Sequence, residues 1–169
     1  NLPDDASFAT FCLETNELAF SNVTYQAAIA SAADLGGSGG GSPDPLDPKS
    51  AFLYYTYRTN PGALNGSLSG GASFTGTQAE RQQATKQLQE ALWFIEQETL
   101  GVNNGLVSLA NGAGWSGIGP VRVLNLFTPL PAGGVSNDQD ILILVPAPAA
   151  ALLAAMGLGA AGWVKRRLA

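Results

Sequence analysis

The sequence predicts an α+β fold, a small β-sandwich or barrel-like domain around one central helix, followed by a hydrophobic C-terminal helix. Three observations predict it. In Thr77 to Leu100, Ala84, Leu88, Ala91, Leu92 and Ile95 recur at three- and four-residue spacing with polar residues between them, which is the period of a helix with one buried face. Val121 to Phe127 alternates apolar and polar residues, and Asp140 to Val145 is a short apolar run, so two strands are expected late in the chain. Residues 149 to 164 carry no charge and end at Lys165-Arg166-Arg167. At 169 residues the chain suits one domain with a sizeable core. The expected division is a domain over 1–145 and a tail over 146–169.

Taken in order, Ser7 to Glu14 and Glu17 to Tyr25 are rich in aromatic and β-branched residues and are separated by Thr15-Asn16, the pattern of a two-stranded hairpin. Gln26 to Leu35 is alanine-rich and reads as a short helix. Gly36 to Pro48 is a loop by composition, and it lacks the Gly-Lys-Ser/Thr ending of a phosphate-binding loop. Lys49 to Arg58 has the aromatic content of a strand, but Asp47-Pro48 supplies an N-cap and a proline at the first helical position, so a helix is expected. Asn60 to Gly76 is irregular, with room for one short strand. The central helix opens on Thr77 and Glu80, spaced as a capping box, and Gly101 is the expected stop. Val102 to Gly119 reads as turns with at most a short strand over residues 106–109.

Composition excludes several functions. The pI near 4.5 and net charge of −5 argue against nucleic acid, whose phosphates need clustered Lys and Arg. With no His and a single Cys, the chain has no His-based catalytic triad, no Cys/His zinc site and no intrachain disulfide. No metal site and no cofactor is expected. Paired carboxylates occur, as at Glu96 with Glu98 and Asp138 with Asp140, at spacings that arise readily by chance in an acidic chain. Without His there is no obvious general base near neutral pH, so an enzyme is not the expected reading. A first residue other than Met fits a mature exported protein.

The C-terminal segment admits two readings. A helix over 149–164 spans about 24 Å, against roughly 30 Å for a bilayer core, so it is a marginal membrane span whose basic end suits the cytoplasmic side. It equally suits an Ala/Gly-rich packed helix whose basic end complements its dipole. Val145-Pro146-Ala147-Pro148, the apolar run and the basic cluster together resemble the PEP-CTERM sorting tail of bacterial exosortase substrates, with Ala147 where the usual motif has Glu. That resemblance implies export, a membrane stage during sorting, an extracellular or outer-surface location and a biofilm-matrix setting. If the tails of neighbouring copies pack together, Leu152, Leu153, Met156, Leu158 and Trp163 are the expected contacts.

A second resemblance joins the domain's two ends. Phe11-Cys12-Leu13-Glu14 and Leu88-Gln89-Glu90-Ala91-Leu92-Trp93 resemble the paired signatures of bacterial Cys-Gln thioester domains, known chiefly from surface adhesins. The resemblance implies an internal thioester between Cys12 and Gln89, with Glu14 and Trp93 supporting it and a nucleophile-bearing surface ligand as partner. Such a bond forms when the thiolate attacks the Gln89 carboxamide carbon and expels ammonia, and it needs the pair held in near-attack geometry. Taken alone, Cys12 between Phe11 and Leu13 reads as a buried core thiol and Gln89 as a helix-surface residue. A covalent adhesin and a structural subunit of an extracellular homopolymer both remain expectations at this level.

Overall fold

The computed structural model describes residues 9–20 and 23–145. The fold is α+β. Strands are β1 (Gln26–Ala30), β2 (Ala32–Ala33), β3 (Asp44–Pro45), β4 (Val121–Pro129), β5 (Val135–Asn137) and β6 (Ile141–Leu144). Helices are α1 (Pro48–Thr59), α2 (Gln78–Ile95) and α3 (Gly105–Gly112), with a 3-10 helix over Pro61–Ser67. Among the described residues no helix is long and apolar enough to cross a membrane. The proposed tail contacts Leu152, Leu153, Met156, Leu158 and Trp163 lie outside the described residues.

Strand β4 organises the sheet. It pairs antiparallel with β1 on one side, from Gln26 opposite Phe127 to Ala30 opposite Val123, and with β5 and β6 on the other. Its alternation has a direct consequence, since Val121, Val123 and Asn125 are buried while Arg122 and Leu124 are only partly covered. Between Phe127 opposite Asn137 and Leu124 opposite Ile141, three steps along β4 match four along its partner. The partner therefore carries one extra residue over 138–140, a bulge of the kind that re-aims side chains at functional places. The far edge of β6 is covered by residues 10–13, through the Cys12–Ile141 bridge and the bonds from Leu13 N–H to Asp140 O (3.0 Å) and from Leu142 N–H to Phe11 O (3.1 Å).

Helix α1 packs on this sheet, and α2 and α3 pack against α1 and each other. Tyr54 and Leu53 of α1, Leu88 and Leu92 of α2 and Leu106 of α3 are fully buried in one cluster with Val121, Val123 and Leu142. In place of the expected sandwich or barrel-like body there is one open four-stranded sheet with a separate β2–β3 pair. The cause is strand supply. The N-terminal hairpin does not form among the described residues, since 10–13 pairs with β6, at the other end of the chain.

Two further expectations are corrected. Gln26–Ala30 is a strand and not a helix, because β4 offers it a ladder of backbone hydrogen bonds that outweighs a propensity difference of well under about 1 kcal/mol per residue. Residues 105–112 form α3 and not turns. Asn104 caps it by accepting from Leu106 N–H (3.0 Å), and Leu106, Val107 and Ala110 bury one face. No strand lies within Asn60 to Gly76, where a 3-10 helix stands instead. As expected, Asp47 caps α1 at Lys49 N–H (2.7 Å), and Thr77 with Glu80 forms the capping box of α2.

The end of α2 differs from the expected glycine stop. The helix closes at Glu96, and Gln97 takes the left-handed conformation (φ 64°). Gln97 N–H reaches Phe94 O (3.3 Å) and Glu98 N–H reaches Trp93 O (2.7 Å), the two bonds of a Schellman motif. Gly101 has another task. The chain returns so close to the helix that a Cβ there would collide with the Phe94 backbone. Gly101→Ala is therefore expected to cost about 1–3 kcal/mol in denaturant unfolding. A change within about 0.5 kcal/mol would refute the close approach.

Candidate functional site

Residues 10–13 present the site because β6 uses only part of their backbone. Opposite Ile141, the ladder bonds come from Leu13 and Phe11, so the N–H and C=O of Cys12 face away from β6. Gln89 of α2 meets both groups. Cys12 N–H donates to Gln89 Oε1 (3.1 Å), and Gln89 Nε2 donates to Cys12 O (2.8 Å). The carboxamide stands where the next strand's peptide would be. Two residues 77 positions apart are thus paired through the Cys12 backbone. The helix holds Gln89 there because its neighbours Leu88, Ala91 and Leu92 are fully buried.

A groove of about 430 Å³ runs past Gln89, lined also by Trp93, Thr10, Phe11, Gln82 and Lys86, and Cys12 is not part of its lining. Trp93 is half-buried, and its indole N–H is enclosed without a hydrogen-bond partner. The Cys12 thiol is partly buried, and burial, with Glu14 second, pushes its pKa up. At rest it is a neutral thiol. The Cys12 N–H polarises the Gln89 carbonyl in the direction that thiol attack requires, since negative charge would develop on Oε1.

Glu14 is enclosed, 3% exposed, and takes hydrogen bonds from Gln139 Nε2 at its own backbone O (3.0 Å) and at Oε2 (3.3 Å). Burial pushes its carboxyl up to about 9, with Asp140 and Glu17 adding to the shift. Glu17 is raised to about 7 and Asp140 to about 6, in both cases chiefly by burial. These three carboxylates have oxygens within 4.8 Å of one another. The sequence reading did not single out Glu17 or Asn125. A signal for Asn125 existed, since it falls on the apolar phase of Val121 and Val123.

The pairing of Glu96 with Glu98 separates in the structure. Glu96 accepts from Asp47 N–H (3.3 Å) at the start of α1. Glu98 ties two loops to the end of α2, accepting from Thr15 N–H (3.0 Å), Thr15 Oγ1 (2.7 Å) and Ser38 N–H (2.8 Å). Tyr54, fully buried, donates to Ala9 O (3.0 Å) and belongs to the core. Comparison with protein-family models, with curated proteins and with solved structures finds no match.

Proposed function

We propose that this chain is an exported bacterial surface or matrix protein whose domain forms an internal Cys12–Gln89 thioester and uses it to capture a ligand covalently. The observation that carries the reading is the reciprocal hydrogen bonding of the Gln89 carboxamide with the Cys12 backbone. It supports the reading because cyclisation needs the two residues pre-positioned. In the bond-forming step the Cys12 sulfur bonds to the Gln89 side-chain carbonyl carbon, the C–N bond breaks, and the thiol proton leaves with the nitrogen as ammonia. Attack by a ligand's amine or hydroxyl at the same carbon then returns the thiol and leaves the ligand on residue 89. The groove beside Gln89 and Trp93 supports access for such a ligand. Export and surface location rest on the resemblance of residues 145–169 to a sorting tail.

Intact mass of freshly purified protein is expected to lie one ammonia below the sequence mass, and methylamine is expected to add one equivalent to that species at residue 89. A full sequence mass with an alkylatable Cys12 would sink the covalent reading.

A structural filament subunit is the second reading, favoured by the exposed outer edge of β1, which pairs with nothing on that side among the described residues. In it the C-terminal hydrophobic helix packs between copies. Deleting residues 149–169 is expected to convert assemblies to monomers in sedimentation velocity. Continued assembly of the truncated chain would reject packing through the tail.

A further inference from the structure

Among the described residues, the acidic corner beside the Cys12 segment has a donor set that no lysine or arginine meets. Glu14, Glu17 and Asp140 each offer an oxygen, and these lie within 4.8 Å of one another. Two ligands on opposite sides of a calcium ion are about 5 Å apart, since Ca–O distances are about 2.3–2.6 Å, so a single ion fits among them. Glu14 and Asp140 are 3% and 2% exposed. Among the described residues the one ion pair is Lys86 with Glu90, so no lysine or arginine neutralises the corner.

A second observation points to the same place. Asn125 is 6% exposed, and its Oδ1 is enclosed with no hydrogen-bond donor. The β4–β6 register ends at Leu124 opposite Ile141, and Asp138 N–H donates to Leu126 O (2.9 Å), which sets the extra residue opposite Leu126 and leaves Asn125 and Asp140 as the next positions on the two strands. Residues opposite one another on an antiparallel pair project to the same side, here the buried one. Glu17 Oε2 is also enclosed and without a donor. Buried acceptors of this kind are costly when unmet, and here they are carboxylate and amide oxygens.

We propose that Glu14, Glu17, Asp140 and Asn125 bind one divalent cation of the calcium class. All the ligands are hard oxygens, which excludes a preference for the thiolate- and imidazole-seeking metals. The site draws on residues distant in sequence and on a bulged strand, giving an irregular cage. Calcium accepts irregular coordination by six to eight oxygens, whereas magnesium demands near-ideal octahedral geometry and keeps its water. The ion ties the Cys12 segment to the β5–β6 strand and to β4. Its binding is independent of whether Cys12 and Gln89 are joined.

The test uses the full chain, stripped with EDTA and titrated with calcium chloride by calorimetry and in thermal unfolding at constant ionic strength. One saturable site is expected, with a rise in midpoint that magnesium chloride reproduces weakly and sodium chloride does not. Glu17→Gln, at a partly exposed position, is expected to fold and to bind calcium at least tenfold more weakly. Asp44→Asn, outside the cluster, is expected to bind as the parent does. The proposal is overturned if the parent shows no saturable binding at millimolar calcium, or if Glu17→Gln binds equally well. Repeating the titration on Cys12→Ala separates the two readings, because calcium binding there should persist.

Discussion

Cys12→Ala is expected to lower the unfolding free energy of freshly prepared protein by about 4 kcal/mol, the stabilisation that a cross-link closing a loop of this length confers by restricting the unfolded chain. The loop runs over 77 positions, from residue 12 to residue 89. The substitution isolates the contribution of the proposed thioester. Gln89 bonds to the backbone N–H and O of residue 12, so alanine keeps both hydrogen bonds. What alanine removes besides the cross-link is a partly buried sulfhydryl, worth less than about 1 kcal/mol of transferred surface. Denaturant unfolding of both proteins, monitored alongside intact mass, measures the difference. A loss below about 1 kcal/mol would mean that no bond joins the two residues.

The second large effect concerns pH. Glu96 is 7% exposed, and burial pushes its carboxyl from 4.5 to about 7, with Asp47 and Asp44 adding to the shift and the Asp47 N–H opposing it. The folded protein therefore holds this proton more tightly than the unfolded chain does. The associated stability is fully present below about pH 4.5 and is lost as pH rises through about 7. The size of the shift corresponds to roughly 3 kcal/mol. Glu96→Gln stays neutral throughout, and its carbonyl can still accept from Asp47 N–H. The variant is expected to match the parent near pH 4.5 and to exceed it by up to that amount at pH 8. Because Glu14, Glu17 and Asp140 are raised in the same direction, the decisive quantity is the difference between the two proteins across the pH series. Parallel curves would show that Glu96 does not carry the dependence.

Local signals were legible wherever a residue's role depends on its near neighbours. Asp47-Pro48 before α1 and Thr77 with Glu80 before α2 are contacts within four residues, and both caps form as read. The alternation of Val121 to Phe127 likewise reported one buried face. Asn104 ahead of α3 was an equally local signal, obscured by the glycines around it.

The candidate site was partly legible. A resemblance to thioester domains paired Cys12 with Gln89, but it contains neither the open edge of residues 10–13 nor the carboxamide bridging it. The acidic corner lay hidden, since Glu14 and Glu17 meet Asp140 from the other end of the chain.

The sequence by itself determined the α+β class, the two capped helices α1 and α2, and strands β4 and β6, because periodicity and capping are set by residues a few positions apart. Only the tertiary structure decided that the alanine-rich Gln26–Ala30 is a strand, that residues 10–13 pair with β6, and that Gln97, not Gly101, reverses the chain after α2. Each of those outcomes depends on a partner far along the chain or on a close backbone approach. Weak local preferences, of a few tenths of a kcal/mol per residue, yield there to hydrogen-bond ladders and buried contacts that exist only once the chain is folded.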